Sequence, residues 1–109
     1  MDVTSAILVE YVDEHYTDAD FGVASAAEYL GISEYSTGKL LRNIYGANFR
    51  RIINEKRIAY AKMLLMSSDE SVGQIGRMSG FMSTSYFIKV FRDLEDITPA
   101  QFRQIMNEN

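Results

Sequence analysis

Apolar residues recur every three or four positions along most of the chain, which is the mark of helices buried on one side. Ile7, Leu8, Tyr11, Val12 and His15 form the first such stripe, over residues 4–16, with Thr4 or Ser5 as cap and Glu10, Asp13 and Glu14 opposite. Val23, Ala26, Ala27 and Leu30 give the inner face of a short helix, and Gly31-Ile32-Ser33 makes a turn capped by Ser33. Leu40, Leu41 and Ile44 line the next helix, Tyr35 to Tyr45, which Gly46 stops. The longest periodic run, Phe49 to Met66, carries Ile52, Ile53, Lys56, Arg57, Tyr60, Ala61, Leu64 and Leu65. At about 1.5 Å per residue it spans roughly 27 Å. Ser71-Val72-Gly73-Gln74 has the pattern of a capping box, opening a helix with Val72, Ile75 and Gly76 inward that ends at Met78-Ser79-Gly80. Gly80 turns the chain, Ser83 caps again, and Phe87, Val90, Phe91 and Leu94 make one face. Thr98-Pro99-Ala100-Gln101 opens a last helix that reaches about Met106. The single proline and the lack of β-branched alternation predict an all-α protein of about seven helices.

The two halves repeat. Ala27 to Ile32 matches Gly76 to Phe81 at an offset of 49, and Lys39-Leu40-Leu41-Arg42 matches Lys89-Val90-Phe91-Arg92 at an offset of 50. Core packing alone does not require a glycine turn followed by basic-apolar-apolar-basic twice. A short helix, a glycine turn and a helix with a basic outer edge read as a helix-turn-helix. The expected organisation is one domain over 1–109. Within it, 1–46 is a first helix-turn-helix module with its N-terminal helix, 47–67 a linker helix, and 68–109 a second module with a C-terminal helix.

The second half closely resembles the C-terminal part of the AraC/XylS-type transcription regulators. Gly80-Phe81, Ser85-Tyr86-Phe87, Lys89-Val90-Phe91, Thr98-Pro99 and Phe102-Arg103 agree with that family in residue type and spacing at once. The long helix fits the family's linker at Phe49, Asn54, Arg57, Ala61 and Leu64-Leu65, so the resemblance covers nearly the whole chain. It implies a sequence-specific DNA-binding domain of a bacterial, cytoplasmic transcription regulator, with double-stranded DNA and RNA polymerase as partners. Activation is the commoner mode in the family. The resemblance also implies a monomeric domain, since dimerisation and effector domains usually lie outside this module. The start carries no additional folded segment, which favours an excised C-terminal domain over a stand-alone member.

Charge changes this picture less than its total suggests. The net charge is −4, an unusual value for a DNA binder. Residues 1–20 hold six acids and no Lys or Arg, which leaves the remainder at +2. Local field, rather than the total, decides whether phosphates are attracted. With no cysteine there is neither a disulfide framework nor a thiolate metal site. No paired carboxylates, activated nucleophile or metal-spaced ligands appear, so an enzyme is not expected and no cofactor or metal is assigned. His15, the single histidine, reads as a partly buried helix-end residue.

The outward residues of the two recognition helices are the candidate site. Tyr35, Ser36, Gly38 and Lys39 in the first, and Thr84, Ser85, Ile88 and Lys89 in the second, are the base-reading candidates. Ser33, Ser83 and Thr98 sit at helix starts, where hydroxyls and free N–H groups suit phosphate. Arg42 and Arg92, later in each helix, are phosphate candidates too. Taken singly, each of these cations fits an ordinary solvated charge. The repeat and the resemblance together favour base reading for the two lysines. Tyr35 and Ile88 fit thymine-methyl contacts and plain surface hydrophobes equally well. Phe81, Tyr86, Phe87, Phe91 and Phe102 are expected in the core, Arg57 to pair within the fold, and the methionines to fill gaps.

Some positions depart from the family. Thr37 stands where a large apolar residue is usual, and Gly38 has no side chain to read a base. The first module is therefore expected to contribute less specificity. Gly76 replaces the usual Ala, Asp96 the usual Gly, and Gly73 has no counterpart explanation in the sequence. The rival reading is a helical interaction module that keeps the fold and has little DNA affinity.

Overall fold

Caps decide where the helices begin. In the computed structural model, which describes residues 1–46 and 48–108, the elements are α1 (Val3–His15), α2 (Val23–Leu30), α3 (Glu34–Tyr45), α4 (Phe49–Ser67), α5 (Val72–Met78), α6 (Thr84–Glu95) and α7 (Pro99–Asn107). There is no strand among the described residues. Ala47 and Asn109, end residues of the expected linker and second-module ranges, lie outside the described residues. Ser33, Ser71, Ser83 and Thr98 each accept the backbone N–H three residues on, as their spacing predicts.

Two cap expectations need correcting. At α1 the cap is Asp2, not Thr4 or Ser5: its carboxylate accepts the Ser5 N–H at 2.8 Å and starts the helix a residue early. That hydrogen bond holds the Asp2 carboxyl below the usual aspartate range. At α5 the box does not close, because the Gln74 side chain accepts from Arg77 Nη2 at 2.9 Å instead. At α7 it does close: Gln101 Oε1 accepts the Thr98 N–H at 2.9 Å and Thr98 Oγ1 the Gln101 N–H at 3.1 Å.

The internal repeat is visible in the backbone. Gly31 (φ 70°) and Gly80 (φ 107°) hold the left-handed turns before α3 and α6. In each turn the following N–H reaches five residues back, Ile32 to the Ala27 carbonyl at 3.2 Å and Phe81 to the Gly76 carbonyl at 2.9 Å. These are the pairs that the offset of 49 superposes. Asp96 ends α6 at φ 67°, the left-handed conformation that its usual Gly counterpart adopts more cheaply.

Apolar burial divides into two clusters. Leu8, Val12, Ala26, Leu41 and Ile53 form the first. Ile58, Ala61, Leu65, Ile75, Phe81, Phe87, Phe91 and Phe102 are in the second. Helix α4 belongs to both, and this explains why a single stripe describes it poorly. Ile53 and Ile58 are five positions apart, so they point about 140° away from one another around the helix. Ile58 is accordingly buried although it lies off the expected stripe, while Ile52 is only half-buried. The molecule is elongated, 47 × 21 × 21 Å.

Tyr86 is a further correction. It is 39% exposed rather than core, one position off the stripe of Phe87, Val90 and Phe91, and its hydroxyl accepts from Asn54 Nδ2 at 3.3 Å. The α5–α6 contact accounts for Gly73, which the sequence leaves unexplained, and for the close packing at Gly76. A Cβ on Gly76 would lie 2.7 Å from Phe87 Cδ2, and one on Gly73 would lie 3.2 Å from Thr84 Oγ1. Arg103 is structural, since its guanidinium donates to the carbonyls of Leu65, Ser68 and Glu70 beyond the end of α4. Thr37, for all its polarity, is fully buried and donates to the Ser33 carbonyl at 2.9 Å.

Candidate nucleic-acid interface

Helices α3 and α6 each bury one face in a different cluster and leave the first two turns of the other face in solvent. On α3, Tyr35, Ser36, Lys39 and Arg42 are exposed and Gly38 is half-exposed. Lys39 Nζ lies 5.6 Å from the Tyr35 ring centroid, one helical turn away, so the cation and the ring form one unit. Ser33 Oγ accepts the Ser36 N–H and donates to Ser36 Oγ, both at 3.0 Å.

On α6, Ser85, Lys89 and Arg92 are exposed, Thr84 and Ile88 half-buried. Ser83 caps through Oγ to the Tyr86 N–H at 3.1 Å. Thr84 leans on Gly73 and is the least free of the outward residues. Lys89 Nζ pairs with Asp93 Oδ2 at 2.7 Å, and that hydrogen bond holds the ammonium above the usual lysine range. Both side chains are largely exposed, so this pair contributes little stability and breaks easily when a better acceptor arrives. Thr98 is half-buried, and its N–H and hydroxyl both serve the α7 box, so a phosphate there would have to compete with Gln101.

Two side chains that the periodic pattern does not single out belong to the same surface. Arg50 and Arg51 open α4 and line a cleft of about 250 Å³ with Asn54, Tyr86, Lys89 and Asp93. The Asn54 hydrogen bond lowers the Tyr86 phenol from its ordinary range, against the effect of burial, and Arg50 and Lys89 act in the same direction. The cleft lining holds three cations, Arg50, Arg51 and Lys89, against Asp93, with Lys89 paired to Asp93 and Arg51 to Glu55. The signal was two adjacent arginines following the Asn48 cap.

His15 Nδ1 lies 2.9 Å from Asp18 Oδ2, and its ring packs against Tyr11. Among the described residues no group of three or more His, Cys, Asp or Glu could hold a metal, and no helix is long and apolar enough to cross a membrane.

Gly38 supplies a test of how closely α3 approaches its partner. A Cβ there would meet nothing within 4 Å. Gly38→Ala is expected to raise stability in urea titration by about 0.5–1 kcal/mol, through helix propensity alone. DNA affinity is expected to be retained. A loss of affinity in the stabilised variant would mean that DNA packs against the bare backbone at that position.

Known proteins share this architecture. The profile of a family described as "Helix-turn-helix domain" matches residues 26–105. The chain is 39% identical over 101 residues, 93% of its length, to the regulatory protein PocR of Salmonella typhimurium, and it spans 33% of that relative. The C-terminal domain of the two-component response regulator yesN from Fusobacterium nucleatum superposes with a TM-score of 0.83 at 28% identity, covering 90% of this chain and 95% of that one. The DNA-binding domain of AdpA, solved in complex with a target DNA, superposes at 0.87 over 98% of this chain and 96% of that one; at 24% identity the likeness is one of fold.

Proposed function

The chain belongs to the AraC-type helix-turn-helix family of transcription-regulator DNA-binding domains, and from that premise we propose that α3 and α6 enter two successive major-groove segments on one face of DNA. Proteins of this family are not enzymes. In this reading Tyr35, Ser36, Gly38 and Lys39 face base edges in one groove, and Thr84, Ser85, Ile88 and Lys89 in the next. Ser33, Arg42, Ser83, Arg92 and Thr98 hold the flanking phosphates, with Arg50 and Arg51 between the grooves. The division into two modules and a linker follows the two apolar clusters that share α4. The observation that carries the proposal is the repeat. The same glycine turn precedes two helices, and both present an exposed lysine at matching positions, Lys39 and Lys89. A length of 47 Å accommodates two grooves about 34 Å apart.

The chain spans about a third of PocR, so what the whole protein does is part of the proposal. We place it in the cytoplasm as a regulator that positions RNA polymerase, activation being the expected mode. The domain itself is a monomer, with any dimerisation outside it. The test is the salt dependence of duplex binding by fluorescence anisotropy. The slope of log affinity against log salt is expected to be roughly −2 or steeper, about 0.9 for each phosphate neutralised by Arg42, Arg92 and their neighbours. Affinity that does not respond to salt would point to the interaction-module reading instead.

A further inference from the structure

The two modules are joined by a single helix, α4, so their relative direction depends on how firmly each is held against it. Contacts off the helix axis bear on the direction in which α6 points when α3 is docked. Three segments meet at one such place. From α4, Arg57 Nε donates to the Tyr16 carbonyl at 2.6 Å and Nη2 to the Asp18 carbonyl at 2.9 Å, both in the loop between α1 and α2. The same guanidinium carbon lies 5.8 Å from the centroid of Phe81, in the turn before α6. Gly80 closes the gap: a Cβ there would lie 2.7 Å from Arg57 Nε and 3.0 Å from the carbonyl oxygens of both Tyr16 and Thr17. The turn of the second module thus rests directly on the loop of the first, with no room for a methyl group, around a cation that is only 9% exposed. Arg103 ties the end of α4 to α7 within the second module, while Lys56 to Asp13, Asn54 to Tyr86 and Lys62 to Glu95 are single bonds at more exposed positions.

We infer that Arg57 is a positioning residue that fixes the orientation of the second recognition helix relative to the first. The inference rests on the two-groove reading above. Two linked modules bind as one bivalent ligand, and the second contact gains from an effective concentration that depends on geometry. A module free to swing spends most of its time misdirected, so loosening the lock lowers affinity for two boxes while each module still binds its own box.

The experiment uses Arg57→Leu, which removes both hydrogen bonds, and Arg57→Lys, which keeps the charge and most of the stem. Asn43→Cys and Gln104→Cys, on α3 and α7, take spin labels in a chain that has no other cysteine. The parent is expected to give a narrow distance distribution without DNA and both variants a broad one at unchanged helix content. On DNA, the variants are expected to lose about tenfold or more on a two-box duplex and less than twofold on single boxes. They should also be less penalised when two base pairs are inserted between the boxes. An unchanged distance distribution overturns the inference, as does an equal loss on one-box and two-box duplexes, or unfolding of both variants. A parent that binds no duplex sinks the two-groove reading instead, and the label distances still judge Arg57.

Discussion

Phe87→Ala is expected to destabilise the protein by about 3–5 kcal/mol, a large share of the roughly 5–15 kcal/mol that holds a domain of this kind together. Phe87 is fully buried, and its ring packs against Phe81 at 5.2 Å and Phe91 at 5.9 Å between centroids. It also occupies the space that a Cβ on Gly76 would need. The two positions should therefore be coupled. Gly76→Ala alone gains helix propensity but forces Phe87 from its place, an overpacking that costs about 1–3 kcal/mol before the gain. In the Phe87→Ala background the ring atoms at 2.7 and 2.9 Å are gone and the retained Cβ at 3.1 Å remains, so the same methyl should cost less than in the parent. Urea unfolding of the four proteins in this cycle gives the coupling, expected at 0.5 kcal/mol or more. Additive effects would mean that α5 and α6 are not in the close contact described.

Lys89→Ala is expected to weaken binding to the selected site by about 1–3 kcal/mol, and to relax preference at one base pair rather than uniformly. The lysine stands exposed beside Ser85 on the outer face of α6, held by an Asp93 that water already competes for. Breaking that exposed pair costs little. The same substitution at a pure phosphate contact would lower affinity for all sequences alike and flatten the salt slope by about one. Binding measured against a panel of single-base variants separates the two. Unchanged affinity with unchanged preference would remove Lys89 from the reading set.

Most of the fold was legible because the local signals agree with one another. Glycine turns, hydroxyl caps and one-sided apolar stripes mark α2, α3, α6 and α7 without any knowledge of tertiary contacts. The misses have a common physical cause, which is that they depend on what lies across the gap. Ile58 is buried because α4 serves two clusters on two faces, and one period cannot encode that. Tyr86 sits outside the core because it lies one position off the α6 stripe, and its hydroxyl meets Asn54, 32 positions earlier. Gly73 makes sense only against Thr84. The outward positions of the candidate site were legible from the repeat. Arg50 and Arg51 were not, because they are distant in sequence from α6 and join its surface only through the cleft beside Lys89. That Arg57 pairs within the fold could be anticipated from its place in a helical stripe. Its partners are carbonyl groups, which no side-chain pattern announces.

The most direct test of the two-groove reading is selection of bound duplexes from a random pool, followed by footprinting of the winner. The account predicts two protected boxes on one face, about one helical turn apart, with the stronger preference in the box read by α6 because Gly38 leaves α3 poorer in side chains. A pool with no enriched sequence at low salt, or a winner with a single box whose affinity does not change when the neighbouring turn is randomised, would contradict it.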